Sequence, residues 1–112
     1  MTAPLTLNLI QGSVSFRFNP EAAVALQAEL SQLVTQLKAI AVQVNQGGRP
    51  EKQESMEYRY SGDVFLEVFC NPNIYPSPFA AKVLLTVRDD RIRLTTEAEL
   101  PQLIEDLNTF LA

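Results

Sequence analysis

The sequence predicts an α+β fold. It is a mainly antiparallel sheet of about six strands in ββαββββα order, with one long and one short helix packed on one face as a two-layer sandwich. Three observations predict it. Six short segments alternate apolar and polar residues, the period of a half-buried strand. They fall into pairs joined by short polar turns, which makes neighbouring strands antiparallel. Two further segments carry apolar residues at steps of three and four, and two amphipathic helices need one apolar sheet face to cover. With 112 residues, 46% of them hydrophobic, residues 1–112 make a single domain. A chain of this length buries roughly two-thirds of its unfolded surface, enough to hold together without disulfide or metal.

The first pair is "LTLNLI" and "SVSFRF", with Leu5, Leu7 and Leu9 on one strand and Val14, Phe16 and Phe18 on the other. A loop at Gln11-Gly12 sets Leu9 opposite Val14, Leu7 opposite Phe16 and Leu5 opposite Phe18, all on one face, with Ile10 on the other. The long helix follows, over residues 20 to 46. Asn19 is its N-cap, Pro20 its first residue and Gly47-Gly48 its end. Ala23, Leu26, Leu30, Leu33, Leu37, Ile40 and Val44 form one stripe. At ~1.5 Å per residue such a helix is about 40 Å long, so it overhangs the core of a small domain. Its back face is bland: Val24, Ala25, Ala28, Thr35, Ala39 and Val42 among glutamines, with only Glu21, Glu29 and Lys38 charged along the whole helix.

After a polar loop, "SMEYRY" and "VFLEVFC" make the second pair. A three-residue loop centred on Gly62, the preferred reading, puts Tyr58 and Tyr60 on the face of Val64, Leu66 and Val68, whereas a two-residue loop would put them beside Phe65 and Phe69. "KVLLTVRDDRIRLT" makes the third pair, turning at Asp89-Asp90, with Val87 opposite Ile92 and Arg88 meeting Arg91. The closing helix carries Leu100, Leu103, Ile104, Leu107 and Phe110 at helical spacing. Thr96 and Glu99 match a capping box, although Pro101 argues for a start nearer itself.

Composition excludes more than it assigns. There is no histidine and one cysteine. Histidine-based triads, histidine-bearing zinc sites and thiolate clusters are therefore ruled out. The four glycines form neither a phosphate loop nor a dinucleotide fingerprint. No catalytic residue, metal or cofactor is expected, and the chain reads as no enzyme. A net charge of −4 disfavours nucleic acid and anionic membranes. The absence of a signal-like or membrane-length apolar run, together with an unpaired cysteine, predicts a cytoplasmic protein.

What remains are surfaces. Between the second and third strand pairs lies "NPNIYPSPF". Its three prolines stiffen it in advance of any contact. Asn73, Ile74, Tyr75, Pro76 and Phe79 are its candidate partner-binding residues, since aromatic side chains anchor interfaces. The alternative is a stiff connection with Ile74 and Phe79 tucked into the core edge. Phe65, Phe69 and Leu84 fall on the sheet face the helices leave bare. Arg88, Arg91 and Arg93 gather near one turn as a weak anion-binding candidate, opposed by Asp89 and Asp90 and more simply explained as a solvated face. Tyr58, Tyr60, Asp63 and Glu67 are the best available acid-base groups, in no diagnostic spacing. Cys70 reads as a small buried hydrophobe. The expected function is a non-catalytic protein-protein interaction module: an adaptor, assembly chaperone or regulatory subunit. It would take a partner protein or extended client segment through a sheet edge and the proline loop. A homodimer through the long helix or a sheet edge is the expected assembly. A small-molecule binder or histidine-free enzyme, with a pocket between sheet and long helix, is the alternative.

Overall fold

A computed structural model describes all 112 residues and has the predicted ββαββββα order. The strands are β1 (Ala3–Leu9), β2 (Gly12–Phe18), β3 (Met56–Ser61), β4 (Phe65–Cys70), β5 (Lys82–Arg88) and β6 (Arg93–Glu99), and the helices are α1 (Pro20–Asn45) and α2 (Leu100–Leu111). All pairings are antiparallel. The six strands divide into two sheets, the hairpin β1-β2 and the four-stranded β3-β4-β5-β6. Both sheets and both helices contribute to one core of 21 buried residues.

All three hairpins turn one residue away from the predicted position, and their paired residues keep the predicted face; Ile92 and Arg91, expected opposite Val87 and Arg88, fall instead in the third loop, with Ile92 68% exposed. In the first, Leu7 lies opposite Val14 and Leu5 opposite Phe16, because the loop is Ile10-Gln11 and Gly12 takes the positive φ of 114°. In the second, Tyr58 lies opposite Val68 and Tyr60 opposite Leu66, around a loop of residues 62–64. In the third, Val87 lies opposite Leu94 and Arg88 opposite Arg93. That loop spans residues 89–92, since the Asp89 carboxylate accepts the amides of Arg91 and Ile92 at 2.8 and 2.9 Å. These bonds hold the Asp89 carboxyl below its ordinary range. Moving a turn by one residue shifts the register by two, and a shift of two returns each side chain to its own face.

Helix α1 starts and stops by local means. The Asn19 side chain accepts the amides of Glu21 and Ala22 at 2.7 and 3.2 Å. At the far end Gly47 adopts φ 78°. The Gly48 amide then donates to the Gln43 carbonyl and the Gly47 amide to that of Val44, both at 3.0 Å. This crossed pair satisfies carbonyls that a helix end would otherwise strand. Six of the seven stripe residues, Ala23 to Ile40, are buried. Val44 is 53% exposed. The last turn of the helix thus overhangs, in a molecule measuring 48 × 26 × 22 Å.

Helix α2 starts differently from the capping-box expectation. Thr96 belongs to strand β6, and Glu99 stands at the cap position with no side-chain bond. The Leu100 amide instead donates to the Ala81 carbonyl at 3.0 Å, and Pro101 has no amide to satisfy. Further along, the buried Asp106 carboxylate accepts the backbone amide of Asn8 at 2.7 Å and the side-chain amides of Asn8 and Gln102, each at 2.9 Å. This ties α2 to β1. No helix is long and apolar enough to cross a membrane.

Candidate functional site

The proline segment divides into an anchored half and a presenting half. Asn71 caps a single 3-10 turn, Pro72–Ile74, by accepting the Asn73 amide at 3.1 Å. The Asn73 side chain then acts as a peptide group. It accepts the Gln53 amide at 2.8 Å and donates to the Gln53 carbonyl at 2.7 Å. Pro72 is buried and Tyr75 packs against the core. Burial raises the Tyr75 phenol, with help from Cys70 and Glu97 and against the Lys82 amide. Beyond Pro76 the chain turns twice, with the Ala80 and Ala81 amides donating to the carbonyls of Ser77 and Pro78. This half holds Phe79 in solvent, 85% exposed. Ile74 is also exposed. Neither residue is tucked into the core edge.

Phe79 stands at the rim of a cleft of about 370 Å³ lined by Val34, Lys38, Pro78, Leu100, Pro101 and Ile104. The cleft shares Val34, Lys38 and Ile104 with a larger groove of about 770 Å³ between α1 and α2, where Val24, Ala28 and Thr35 of the bland helix face meet Ile104 and Asn108. The two helices are latched across it by the Gln27 side-chain amide donating to Asn108 at 2.6 Å. Sequence reasoning named Phe79 and missed the cleft, because its walls come from three segments far apart in the chain. A trace was present: Ile104 and Val34 each sit on a helix shoulder beside the buried stripe.

The space between the four-stranded sheet and α1 is filled. The Tyr58 hydroxyl donates to the Ala22 carbonyl at 3.0 Å, and burial, then the neighbouring Tyr60, push its phenol up to about 12. The Tyr60 ring meets Phe18 edge-on at 5.0 Å. The nearest opening is a polar cleft of about 320 Å³ where α1 passes the start of β3, lined by Glu29, Glu54 and Glu57 among others and by no aromatic residue.

The acid-base candidates do not converge. Tyr58 and Tyr60 point into the core, Asp63 sits in a turn, and Glu67 lies on the opposite sheet face, paired with Arg59 at 2.6 Å. Cys70 is 2% exposed, and burial pushes its thiol up to about 11, the wrong direction for a nucleophile. Arg88 lies 4.3 Å above the Phe65 ring. Arg93 is its cross-strand partner, and Arg91 is in the turn beside Asp89 and Asp90. Phe69 and Leu84 are direct cross-strand partners on the bare face, and Phe65 shares that face. No group of three or more carboxylate or thiol side chains is placed to hold a metal ion. Set against known protein families, curated proteins and solved structures, the chain matches none of them.

Proposed function

We propose that the protein is a non-catalytic recognition module that takes an extended segment of a partner protein. One observation carries this reading: a large aromatic side chain, Phe79, stands 85% exposed at the rim of an apolar cleft, on a turn closed by the Ala80 and Ala81 amides and joined to a half anchored by Asn71, Pro72 and Asn73. Holding an anchor in solvent on a rigid mount lowers the ordering cost of binding. An aliphatic or aromatic side chain of the partner fills the cleft between Phe79, Pro101 and Ile104, and the groove between the helices guides the flanking residues. The outer edge of β3 has no backbone partner and is the second place where a strand can add. The lone buried thiol suits the reducing conditions of a cytoplasm.

Selection of a displayed peptide library on the folded chain tests this. Selected peptides should carry a recurrent large apolar residue, and Phe79→Ala should weaken them at least about tenfold, a loss of roughly 1.4 kcal/mol, at unchanged melting temperature. Tyr75→Ala should instead destabilise the fold, since Tyr75 packs on the core. A library that yields no binder, or binders indifferent to Phe79, would sink the reading. The cleft volume also falls in the range of small-molecule sites, about 300–1,000 Å³. A metabolite that stabilises wild type and not Phe79→Ala would favour that alternative.

A further inference from the structure

The outer face of the four-stranded sheet carries a charge pattern that is its own complement. The register sets its side chains in three four-strand rows and a shorter fourth. The first is Ser61, Phe65, Arg88, Arg93; the middle of the three is Arg59, Glu67, Thr86, Thr95; the last of the three is Glu57, Phe69, Leu84, Glu97; beyond it Lys82 faces Glu99. The rows therefore carry formal charges of two positive, none, two negative and, in the short row, none. The middle row is neutral because Arg59 and Glu67 already pair at 2.6 Å. Within the charged rows stand the apolar side chains of Phe65, Phe69 and Leu84, the last 43% exposed. No helix or hairpin covers this face. On a chain with net charge −4, a face of zero net charge with one positive and one negative row is suited to an oppositely ordered copy of itself.

We propose that two copies of the chain stack these faces about a two-fold axis that runs across the strands through the middle row. Stacked sheets lie about 10 Å apart with strands roughly aligned, which leaves room for one interdigitated layer of Phe and Leu side chains. Two-fold symmetry allows two aligned arrangements. An axis along the strands sets Glu57 against Glu97 of the other copy, acid on acid. The axis across the strands reverses the order of the rows. Arg93 then meets Glu97 of the other copy, Phe65 meets Phe69, and Leu84 meets the Arg88 stem. The charges select the second arrangement, and with it a pairing through the sheet face instead of the long helix or a sheet edge.

Sedimentation velocity on the full chain, over a concentration and salt series, tests the pairing. Wild type should sediment at twice the 12.5 kDa of the chain and dissociate more readily as salt rises. Leu84→Arg faces Arg88 of the other copy and should raise the dissociation constant at least tenfold. Leu84→Glu faces the same arginine and should retain the dimer. Arg93→Glu should weaken it, and adding Glu97→Arg should restore it. All three positions are on an open face, and far-ultraviolet dichroism checks that each variant folds. The charge-swap pair and the Leu84 pair are independent, so loss of one variant to misfolding leaves the other decisive. A monomer at every concentration overturns the proposal. So does equal loss with Leu84→Arg and Leu84→Glu, or a dimer that none of the changes affects. Phe79→Ala should leave the dimer intact, so failure here is separable from failure of the peptide-recognition reading.

Discussion

The two helices are fastened to the same core by different means. Helix α1 is held along its length by a stripe of six buried residues and closed by devices within its own sequence, Asn19 at the start and Gly47 at the end. Helix α2 is less than half as long, has no side-chain cap, and is held by partners from distant segments: Ala81 at its first amide, Asn8 at Asp106, and Gln27 at Asn108. The difference teaches what a chain can specify locally. A long helix repeats its stripe often enough to fix its own placement. A short one cannot, and isolated helices of about a dozen residues are marginal, so its position rests on a few non-local bonds.

The largest effects should not distinguish the helices. Leu33 and Leu107 are both buried in the shared core, at 1% and 0% exposure. Leu33→Ala and Leu107→Ala should each cost about 2–5 kcal/mol, read by denaturant unfolding. A Leu107 value far below that of Leu33 would mean that α2 frays in solution and that the comparison is one of stability, not of fastening. Asp106→Ala comes next. It removes the charged acceptor of three hydrogen bonds, a loss of about 1.5–3 kcal/mol. Hydrogen exchange should rise in β1 as well as α2, because the bond joins the two. Exchange confined to α2 would show that β1 holds its place without it.

The helix starts give a smaller and sharper contrast. Asn19→Ala should cost about 1 kcal/mol by removing two accepted amide bonds, whereas Glu99→Ala, with no cap bond to lose, should change stability by less than about 0.5 kcal/mol. Equal losses would contradict the asymmetry. Burial of Tyr58, then the neighbouring Tyr60, adds a pH dependence on the α1 side. A phenol whose pKa is raised in the folded state keeps its proton longer there than in the unfolded chain. Stability is then full below pH 10.0 and falls as pH rises toward about 12, because the folded state binds more protons across that window. Cys70 acts in the same direction from 9.0 to about 11. Tyr58→Phe should flatten the upper part of this alkaline decline and leave the Cys70 part. Thiol reagents at pH 8 should modify Cys70 only on unfolding.

The same contrast explains which features were legible in sequence. Element order, the α1 cap and stripe, and the inward face of every strand rest on local spacing, and all are present. Turn positions were each off by one residue because alternation fixes which face a side chain takes, and a register shift of two leaves that unchanged. The Asp89 turn illustrates this: its two amide bonds lengthen the loop to four residues, and the hydrophobic pattern is blind to them. The Thr96–Glu99 capping motif was present in sequence and overridden, because β6 continues through Thr96 to pair with Leu85. Asp106 was passed over although it lies three residues from Leu103 on the inward side of α2; only its distant partner Asn8 gives a carboxylate there a reason. The cleft beside Phe79 was illegible for the same cause. Its residues come from α1, the proline segment and α2, and no local pattern joins them.

The smallest effect tests where α1 ceases to belong to the core. Val44 continues the stripe that buries Leu33, Leu37 and Ile40, so its spacing alone assigns it inward, yet it is 53% exposed. Val44→Ser should therefore change stability by less than about 0.5 kcal/mol, while Ile40→Val, one turn earlier and 5% exposed, should cost about 0.5–1.5 kcal/mol. Concentration independence of the Val44 value matters as much as its size. A loss that grows with protein concentration would mean that the overhanging turn is covered by another copy, which would place the contact on the long helix and not on the sheet face. A small, concentration-independent change leaves the overhang solvated and is what the proposed contacts at the Phe79 cleft and the sheet face require.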